Sequence, residues 1–272
     1  LSSDGSVLAV GSHTWEGATG TNRGGVYIYD ENGSSWTQRG SVLEAFDAAD
    51  WDFFGYSIAL NSDASVLAVG APEWEGSTGY TRGGVYIYDE NGSSWTQRGS
   101  VLEAFDAGNY YRFGSSVAFN SDGSVLAVGS ESWDRSGGNT RGAAYTYDEN
   151  GSSWTPRGSV LEASDANDYY SFGSSVALNS DGSVLVVGSE RWDGSGGSDI
   201  GGVYTYSLTA NAFPLATTHT GTGWSSFLTN TLTANTAGSE RIRLDSAGNL
   251  GIGYTNPQYK IHLRSDKYPT KN

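Results

Sequence analysis

A repeat of 59 residues fills the first three quarters of this sequence. The hexapeptide Ser-Val-Leu-Ala-Val-Gly begins at Ser6, Ser65 and Ser124, and a variant with one change begins at Ser183. Other landmarks keep the same spacing, namely tryptophans at 15, 74, 133 and 192, tryptophans at 36, 95 and 154, and tyrosines at 27, 86, 145 and 204. A fixed period of this length predicts supersecondary units that bury their apolar faces only against their neighbours.

Each unit has the pattern of four short antiparallel strands. In the second unit, residues 54–60, 65–70, 85–88 and 94–102 are rich in β-branched and aromatic residues and are bounded by Gly, Asn or Asp. Asn91-Gly92 is typical of a tight hairpin between the last two strands, with positive φ expected at both central positions. No segment carries an apolar stripe at helical period, so we predict no helix.

Four strands in a unit of this size predict an all-β fold, a β-propeller in which each 59-residue unit forms one four-stranded blade. The alternative is an open β-solenoid, which is disfavoured because solenoid coils are usually shorter. The first unit lacks its first strand and the last lacks its fourth, so about three and a half blades are expected. Together with the absence of methionine, this predicts a fragment or a processed product.

Phe-Gly pairs open three of the units, at residues 54–55, 113–114 and 172–173. Each pair is followed by a strand of small residues and then by Val-Gly-Ala-Pro or Val-Gly-Ser. In these features residues 1–207 resemble FG-GAP repeats, and the match is best where Phe54-Gly55 is followed by Gly70-Ala71-Pro72. The resemblance implies a propeller like those of integrin-like and other extracellular proteins, some of which carry calcium loops. The turns here lack the full aspartate pattern of such loops, so no cofactor is predicted, with calcium as the open alternative.

The period is lost after Ser207. Residues 208–237 are predicted to be a connector rich in Thr, Ala and Asn, and residues 238–272 a separate β-rich segment. Its core, Glu240-Arg-Ile-Arg-Leu-Asp followed by Gly248-Asn-Leu-Gly-Ile-Gly and Lys260-Ile-His-Leu, closely resembles a stretch common in phage and other viral tail fibres. In such fibres the stretch commonly precedes a chaperone that assembles trimers and is cleaved off, so the resemblance implies a missing or released chaperone.

Apolar and polar residues alternate in this fibre-type segment, which gives each short strand one apolar face. About thirty residues are too few to form a core alone. We therefore expect copies of the chain to pair these strands, as a homotrimer or a filament. The residues predicted to form this oligomerisation contact are Ile242, Leu244, Ile252, Ile261 and Leu263.

Charge and composition exclude several classes of partner and site. Residues 1–207 carry 27 acidic residues and 9 arginines with no lysine, and this negative charge repels nucleic acid and anionic membranes. No apolar run approaches the ~20 residues of a membrane-spanning helix, so membrane insertion is not predicted. The acidity is explained by solubility, with divalent-cation binding as the alternative.

Local signatures of catalysis are missing from the sequence. It contains no cysteine, no His-x-x-x-His spacing and no Gly-x-Ser-x-Gly elbow. Carboxylates are plentiful, but their spacing does not single out a glycosidase pair. We therefore predict no enzyme, no catalytic residue and no metal site.

The loops of the units differ in how much they vary. In a four-stranded blade the first and third turns open on one face, and the middle loop and the link to the next blade open on the other. The first and third turns are nearly identical between units, whereas the middle loops and links vary and carry aromatics. Aromatic rings stack on sugar C–H surfaces and carboxylates accept hydroxyl hydrogen bonds, so this face is a candidate carbohydrate site. The candidate residues are Trp51, Tyr110, Tyr111, Tyr169 and Tyr170 in the links, and Trp15, Trp74, Trp133 and Trp192 in the middle loops.

Packing between blades is the alternative for the four middle-loop tryptophans, because they are invariant. Asn32, Asn91 and Asn150 each begin Asn-Gly-Ser, a glycosylation acceptor only in a eukaryotic secretory protein, and turn geometry is the other explanation for them. Taken together, the sequence predicts a virion fibre or appendage protein, extracellular or on the virion surface, that attaches to a host glycan or receptor. The alternatives are a cellular extracellular adhesin or filament subunit and a surface glycosidase.

Overall fold

The computed structural model describes residues 1–17, 20–76, 80–134, 140–165, 167–193 and 199–208, together with the backbone of four short strands after residue 231. Two units are present, Leu1–Ala210 and Asn211–Asn272. Most of the predicted connector, residues 208–237, lies outside the described residues. No α-helix occurs within the described ranges, and the fold there is all-β.

Fourteen strands of the first unit form four antiparallel sheets, each in chain order. Sheet I contains β1 (Val7–Ser12), β2 (Gly25–Asn32) and β3 (Ser35–Gln38), and sheet II contains β4 (Ser57–Leu60), β5 (Val66–Ala71), β6 (Gly84–Asn91) and β7 (Ser94–Gln97). Sheet III contains β8 (Phe113–Phe119), β9 (Val125–Ser130), β10 (Ala143–Asn150) and β11 (Ser153–Pro156), and sheet IV contains β12 (Phe172–Leu178), β13 (Val184–Ser189) and β14 (Gly202–Ser207). The predicted four-stranded antiparallel unit is therefore confirmed in sheets II and III.

The first strands of successive sheets lie against each other. Strand β8 contacts β4 and β5 of the preceding sheet, and β12 contacts β8 and β9. The sheets consequently face one another with their first strands on the same side. This is the arrangement of neighbouring propeller blades.

Three apolar clusters form the core, one between each pair of successive sheets. Between sheets I and II, for example, Val26 and Ile28 of β2 pack with Leu67 and Val69 of β5, and all four side chains are buried. Full burial of such a side chain contributes about 1.5–3 kcal/mol. Because sheets II and III are covered on both faces, every residue of β5 and β9 is buried, as predicted for residues 66–69.

The Phe-Gly pairs join each sheet to the one before it. Phe54 is fully buried and pairs with Gly24 of sheet I in a parallel bridge. Gly55 has φ +86°, and a Cβ there would lie 2.7 Å from the carbonyl oxygen of Gly25. A Cβ at Gly11 would in turn overlap the carbonyl oxygen of Gly55. The two glycines are therefore required by the close approach of two backbones.

The third turn differs in register from the prediction. Asn91 pairs with Ser94 inside the ladder, so the two-residue loop is Gly92-Ser93 and not Asn91-Gly92. Positive φ occurs at Gly92, at +66°, and not at Asn91. A hairpin with glycine at its first central position has the type II′ pattern. The prediction of positive φ at both Asn91 and Gly92 is wrong, since the asparagine already belongs to strand β6.

Two predicted strands are shorter than expected. Strand β4 begins at Ser57, whereas the equivalent strands β8 and β12 begin at Phe113 and Phe172. Strand β7 ends at Gln97, just before Gly99 turns the chain with φ +72°. The chain then returns to sheet II, where Leu102 forms an antiparallel bridge with Val85.

The second unit contains one four-stranded sheet. Its strands are β15 (Leu232–Thr236), β16 (Ser239–Leu244), β17 (Leu250–Ile252) and β18 (Ile261–Leu263). Strands β15, β16 and β17 pair antiparallel, whereas β17 and β18 pair parallel. The register places Ile242 opposite Ile252, and Ile252 opposite Leu263. The predicted oligomerisation residues thus neighbour each other within one copy, and pairing between copies stays a prediction.

Candidate ligand-binding face

The links and the middle loops form one surface, as the blade pattern predicts. In the link between sheets I and II, the backbone N–H of Trp51 donates to the carbonyl of Thr21 at 2.9 Å. The N–H of Phe54 donates to the carbonyl of Arg23 at 3.1 Å. Thr21 and Arg23 belong to the middle loop of sheet I, so each link is attached to the middle loop of the sheet before it. We call this surface the link face.

The uniform first turns lie at the opposite ends of the strands and connect the sheets to each other. The backbone N–H of Ser3 donates to the carbonyl of Ser62 at 2.9 Å, and that of Ser62 donates to Ser121 at 2.9 Å. The N–H of Ser121 continues the series to Ser180 at 3.0 Å. The side chains of each turn hold its own backbone, since Asn61 Oδ1 accepts from the Val66 N–H and Asp63 Oδ1 from the Ser65 N–H, both at 3.0 Å, so the uniformity of the turns has a structural cause.

Tryptophans and tyrosines of the link face, some buried and some half-buried, are held by an aspartate of the preceding link. The Trp74 Nε1–H donates to Asp47 Oδ2 at 3.2 Å, and the Tyr86 hydroxyl donates to Asp47 Oδ1 at 2.7 Å. Burial and the bond to Asp47 raise the pKa of Tyr86. The same arrangement recurs twice, with Asp106 joining Trp133 and Tyr145, and Asp165 joining Trp192 and Tyr204. These contacts favour the packing explanation for the middle-loop tryptophans.

Trp15 of the first sheet is half-buried over the backbone of β2. A Cβ at Gly25 would lie 2.9 Å from the Trp15 ring, so the indole covers this glycine. Trp74 lies over Gly84 in the same way. One side of the Trp15 and Trp74 rings is therefore covered by the protein's own backbone, and a ligand role for the series stays a prediction.

Three aromatic residues of the links are exposed and have a left-handed backbone. Trp51, Tyr110 and Tyr169 are 56%, 64% and 57% exposed, with φ of +73°, +67° and +70°. They occupy equivalent positions, 59 residues apart. A non-glycine residue in this region costs of order 1–3 kcal/mol, and such strain concentrates at functional sites. The left-handed backbone recurs two residues later in each link, at Phe53, Arg112 and Ser171, so it belongs to the link as a whole. The exposure of an aromatic ring at all three equivalent positions is the feature that points to a role outside packing.

The residue that follows each of these exposed aromatics is at least half-buried and contacts other parts of the protein. Tyr111 is half-buried, donates to the Asp134 carbonyl at 2.8 Å and lies against Trp133. Tyr170 is also half-buried, and its carbonyl accepts the Ser189 hydroxyl at 2.7 Å. Asp52 takes this position in the first link and is 2% exposed. Burial raises the pKa of Asp52 to about 6, against the opposing effect of the Ala49 N–H, which donates to it at 2.7 Å.

Part of the sequence variation on this face has a packing explanation. Between sheets I and II the His13 ring meets the rings of Phe53 and Tyr56 edge to face, at 5.7 and 5.4 Å. Between sheets II and III the residue equivalent to Phe53 is Arg112, which forms ion pairs with Glu73, at 2.8 Å, and Glu131. An aromatic contact in one interface is thus replaced by an ionic one in the next. These variable residues fit each other and do not require a ligand.

An open groove of about 470 Å³ lies where the first link meets sheet II. Phe46, which is 75% exposed, and Trp74 form its aromatic wall, and Asp47, Gln97 and Glu103 add polar groups. This volume is within the range of small-ligand sites, about 300–1,000 Å³. The sequence analysis missed Phe46 and its equivalent Phe105, although both directly precede an aspartate that keeps the 59-residue spacing.

The remaining predicted sites lie elsewhere or have no counterpart among the described residues. Asn32, Asn91 and Asn150 are exposed at the ends of their strands. Among the side chains that the structure describes, no three His, Asp or Glu residues come together in a group that could hold a metal ion. The sequence predicted no cofactor, and calcium stays the open alternative. In the same part of the chain, no helix is long and apolar enough to cross a membrane.

Comparison with known proteins supports the repeat. Residues 36–88 and 157–206 match the sequence profile of the FG-GAP repeat, which supports propeller repeats in this chain. No curated protein sequence matches the chain.

Several solved structures are similar at low identity. The periplasmic gluconolactonase PpgL of Pseudomonas aeruginosa is 17% identical with a TM-score of 0.47, over 74% of this chain and 49% of that one. A putative TolB from Agrobacterium tumefaciens is 12% identical with a TM-score of 0.41, over 96% and 82%. A GH74 enzyme from Niastella koreensis is 18% identical with a TM-score of 0.38, over 69% and 25%. The chain spans about half the length of the gluconolactonase, and similarity at this level says nothing about activity.

Proposed function

We propose that this chain is a non-enzymatic attachment protein that binds carbohydrate through its link face. The observation that carries the proposal is the set of three exposed aromatics at equivalent, strained positions, Trp51, Tyr110 and Tyr169. Aromatic rings presented in this way offer flat apolar surfaces for the C–H faces of sugars. Their repetition in successive links suits a polysaccharide, which offers successive sugars.

The charge of the protein narrows the class of glycan. The first unit has three times as many acidic residues as arginines, so its field repels anionic polymers. Glu103 and Gln97 in the groove beside Phe46 can accept hydrogen bonds from sugar hydroxyls. We therefore propose a neutral glycan. It stacks on the rings of Trp51, Tyr110 and Tyr169, and its hydroxyls donate hydrogen bonds to Gln97 and Glu103.

The wider role is proposed from the second unit. The likeness of residues 238–263 to tail-fibre sequences supports a virion fibre or appendage protein, located outside the cell or on the virion. A cellular adhesin built on FG-GAP repeats is the second candidate, and the match to that repeat supports it equally. Neighbouring genes distinguish the two, because tail or capsid genes would accompany only the virion protein.

A glycan array tests the binding proposal. The labelled chain should bind neutral glycans, and Trp51→Ala, Tyr110→Ala and Tyr169→Ala should each weaken binding about 2- to 10-fold, the effect of losing one stacking contact. Trp36→Ala is the matched control, because Trp36 is an exposed tryptophan on the outer strand β3. Equal binding by all four variants would refute the proposal, and release of reducing ends from a polysaccharide would favour the glycosidase.

A second variant separates binding from folding. Tyr110→Gly removes the same ring but places glycine where φ is +67°, which glycine adopts without strain. Its thermal midpoint should equal or exceed that of the parent, while its glycan affinity should fall as in Tyr110→Ala. A loss of stability together with binding would mean that the ring serves the fold.

A further inference from the structure

Every pair of successive sheets in the first unit uses the same two faces. We call the face that packs on the preceding sheet the front face, and the face that packs on the following sheet the back face. At the first interface the back face of sheet I consists of Val7, Ala9, Val26 and Ile28, and the front face of sheet II consists of Leu67, Val69, Tyr86 and Tyr88. All eight side chains are buried. The interfaces between sheets II and III and between sheets III and IV repeat this pattern.

One front face and one back face have no partner among the described residues. On the front face of sheet I, Val10 is 41% exposed, whereas its equivalent Val69 is fully buried. On the back face of sheet IV, Val203 is 71% exposed, whereas its equivalents Val85 and Ala144 are fully buried. The other members are Leu8, Tyr27 and Tyr29 on the front face, and Val184, Val186 and Thr205 on the back face, and each is at least partly exposed.

We infer that a second copy of this chain covers both faces, with the back face of sheet IV packed on the front face of sheet I of its partner. The positions of the two faces on the second and third strands are those that pack at the three interfaces within the chain, so their residue types match, although sheet I has no counterpart of the first strand and Phe-Gly pair that sheets II to IV add to their front faces. Neither face carries a charged side chain, so the contact is apolar in an otherwise acidic protein. Such a contact is heterologous, since a different surface is used on each copy. Two copies bring eight sheets together, which is within the range of 4–8 blades that closed propellers have.

Cross-linking tests the orientation. The chain has no cysteine, so Val10→Cys and Val203→Cys each create a single reactive site. A short bismaleimide should join the two variants to each other when they are mixed, several-fold more than it joins either variant to itself. Tyr80→Cys, at an exposed middle-loop residue, measures the background from other contacts. Preferential linking of Val203→Cys to itself, or linking no higher than the Tyr80→Cys background, would overturn the inference.

Light scattering tests whether the apolar faces drive association. Val203→Glu should weaken association of the full chain at least tenfold, because it places a carboxylate in the apolar contact. Val203 is exposed, so the variant should retain the parent's circular dichroism. Tyr80→Glu adds the same charge elsewhere and should leave association unchanged. If Val203→Glu and Tyr80→Glu associate like the parent, or the parent is monomeric at every concentration, the two faces do not bind each other.

Discussion

The aspartate in each link holds a tryptophan and a tyrosine of the next sheet with a single carboxylate. Asp106 accepts from Trp133 at 3.1 Å and from Tyr145 at 2.8 Å, so a single carboxylate satisfies two buried donors of the next sheet. A buried donor left without an acceptor costs about 1–3 kcal/mol. Hydrophobic packing brings the rings together, while the aspartate fixes where they lie. The three links therefore determine the spacing of successive sheets.

Asp106→Ala should lower the free energy of unfolding by about 2–4 kcal/mol, because it leaves both the indole N–H and the hydroxyl unpaired. Asp165→Ala is the matched comparison within the same chain. Its partners Trp192 and Tyr204 are less buried, so water can replace the lost acceptor and the effect should be smaller. Urea unfolding of the two variants measures the difference. Equal losses would show that burial of the donors does not decide the cost.

At the scale of the element, the sequence predicted where the strands of sheets II and III lie, but not every detail of their pairing. The β-branched and aromatic runs and their Gly, Asn and Asp boundaries were enough to identify the strands of sheets II and III. They were not enough to place the hairpin, because Asn91-Gly92-Ser93 is compatible with two registers and the pairing of Asn91 with Ser94 selects one. They also could not separate Arg112, which pairs with Glu73 and Glu131, from the exposed Tyr110 two residues earlier. The partners lie far apart in the sequence, so only the fold identifies them.

The hairpin register predicts different effects for two neighbouring residues. Gly92→Ala should lower the thermal midpoint, since alanine at φ +66° is strained by about 1 kcal/mol. Asn91→Ala should have little effect, because Asn91 is an exposed strand residue with negative φ. Differential scanning calorimetry of the two single variants checks this. A larger loss for Asn91→Ala would restore the register predicted from the sequence.

At the scale of the whole molecule, the repeat explains both the stability and the surfaces of the first unit. Its three apolar clusters bury the sheets on each other, and its one-sided variation leaves the link face free to present aromatics. The period was visible in the sequence, so the propeller repeat could be predicted. The open front and back faces could not, because in sequence they look the same as their buried equivalents. Exposure at these faces follows from position in the array and not from residue type.

The second unit should contribute a separate association. Domains of about 60 residues are only marginally stable alone, and the short strands β17 and β18 hold much of the apolar alternation of this unit. Truncation after Leu208 should leave the first unit folded, because the three clusters lie within residues 1–208, and should lower the number of chains per particle, which is the mass from light scattering divided by the mass of one chain. Any association that remains should then disappear with Val203→Glu. If truncation leaves the number of chains per particle unchanged, the first unit makes all the contacts between copies, and the proposed oligomerisation through Ile242, Leu244, Ile252, Ile261 and Leu263 is wrong.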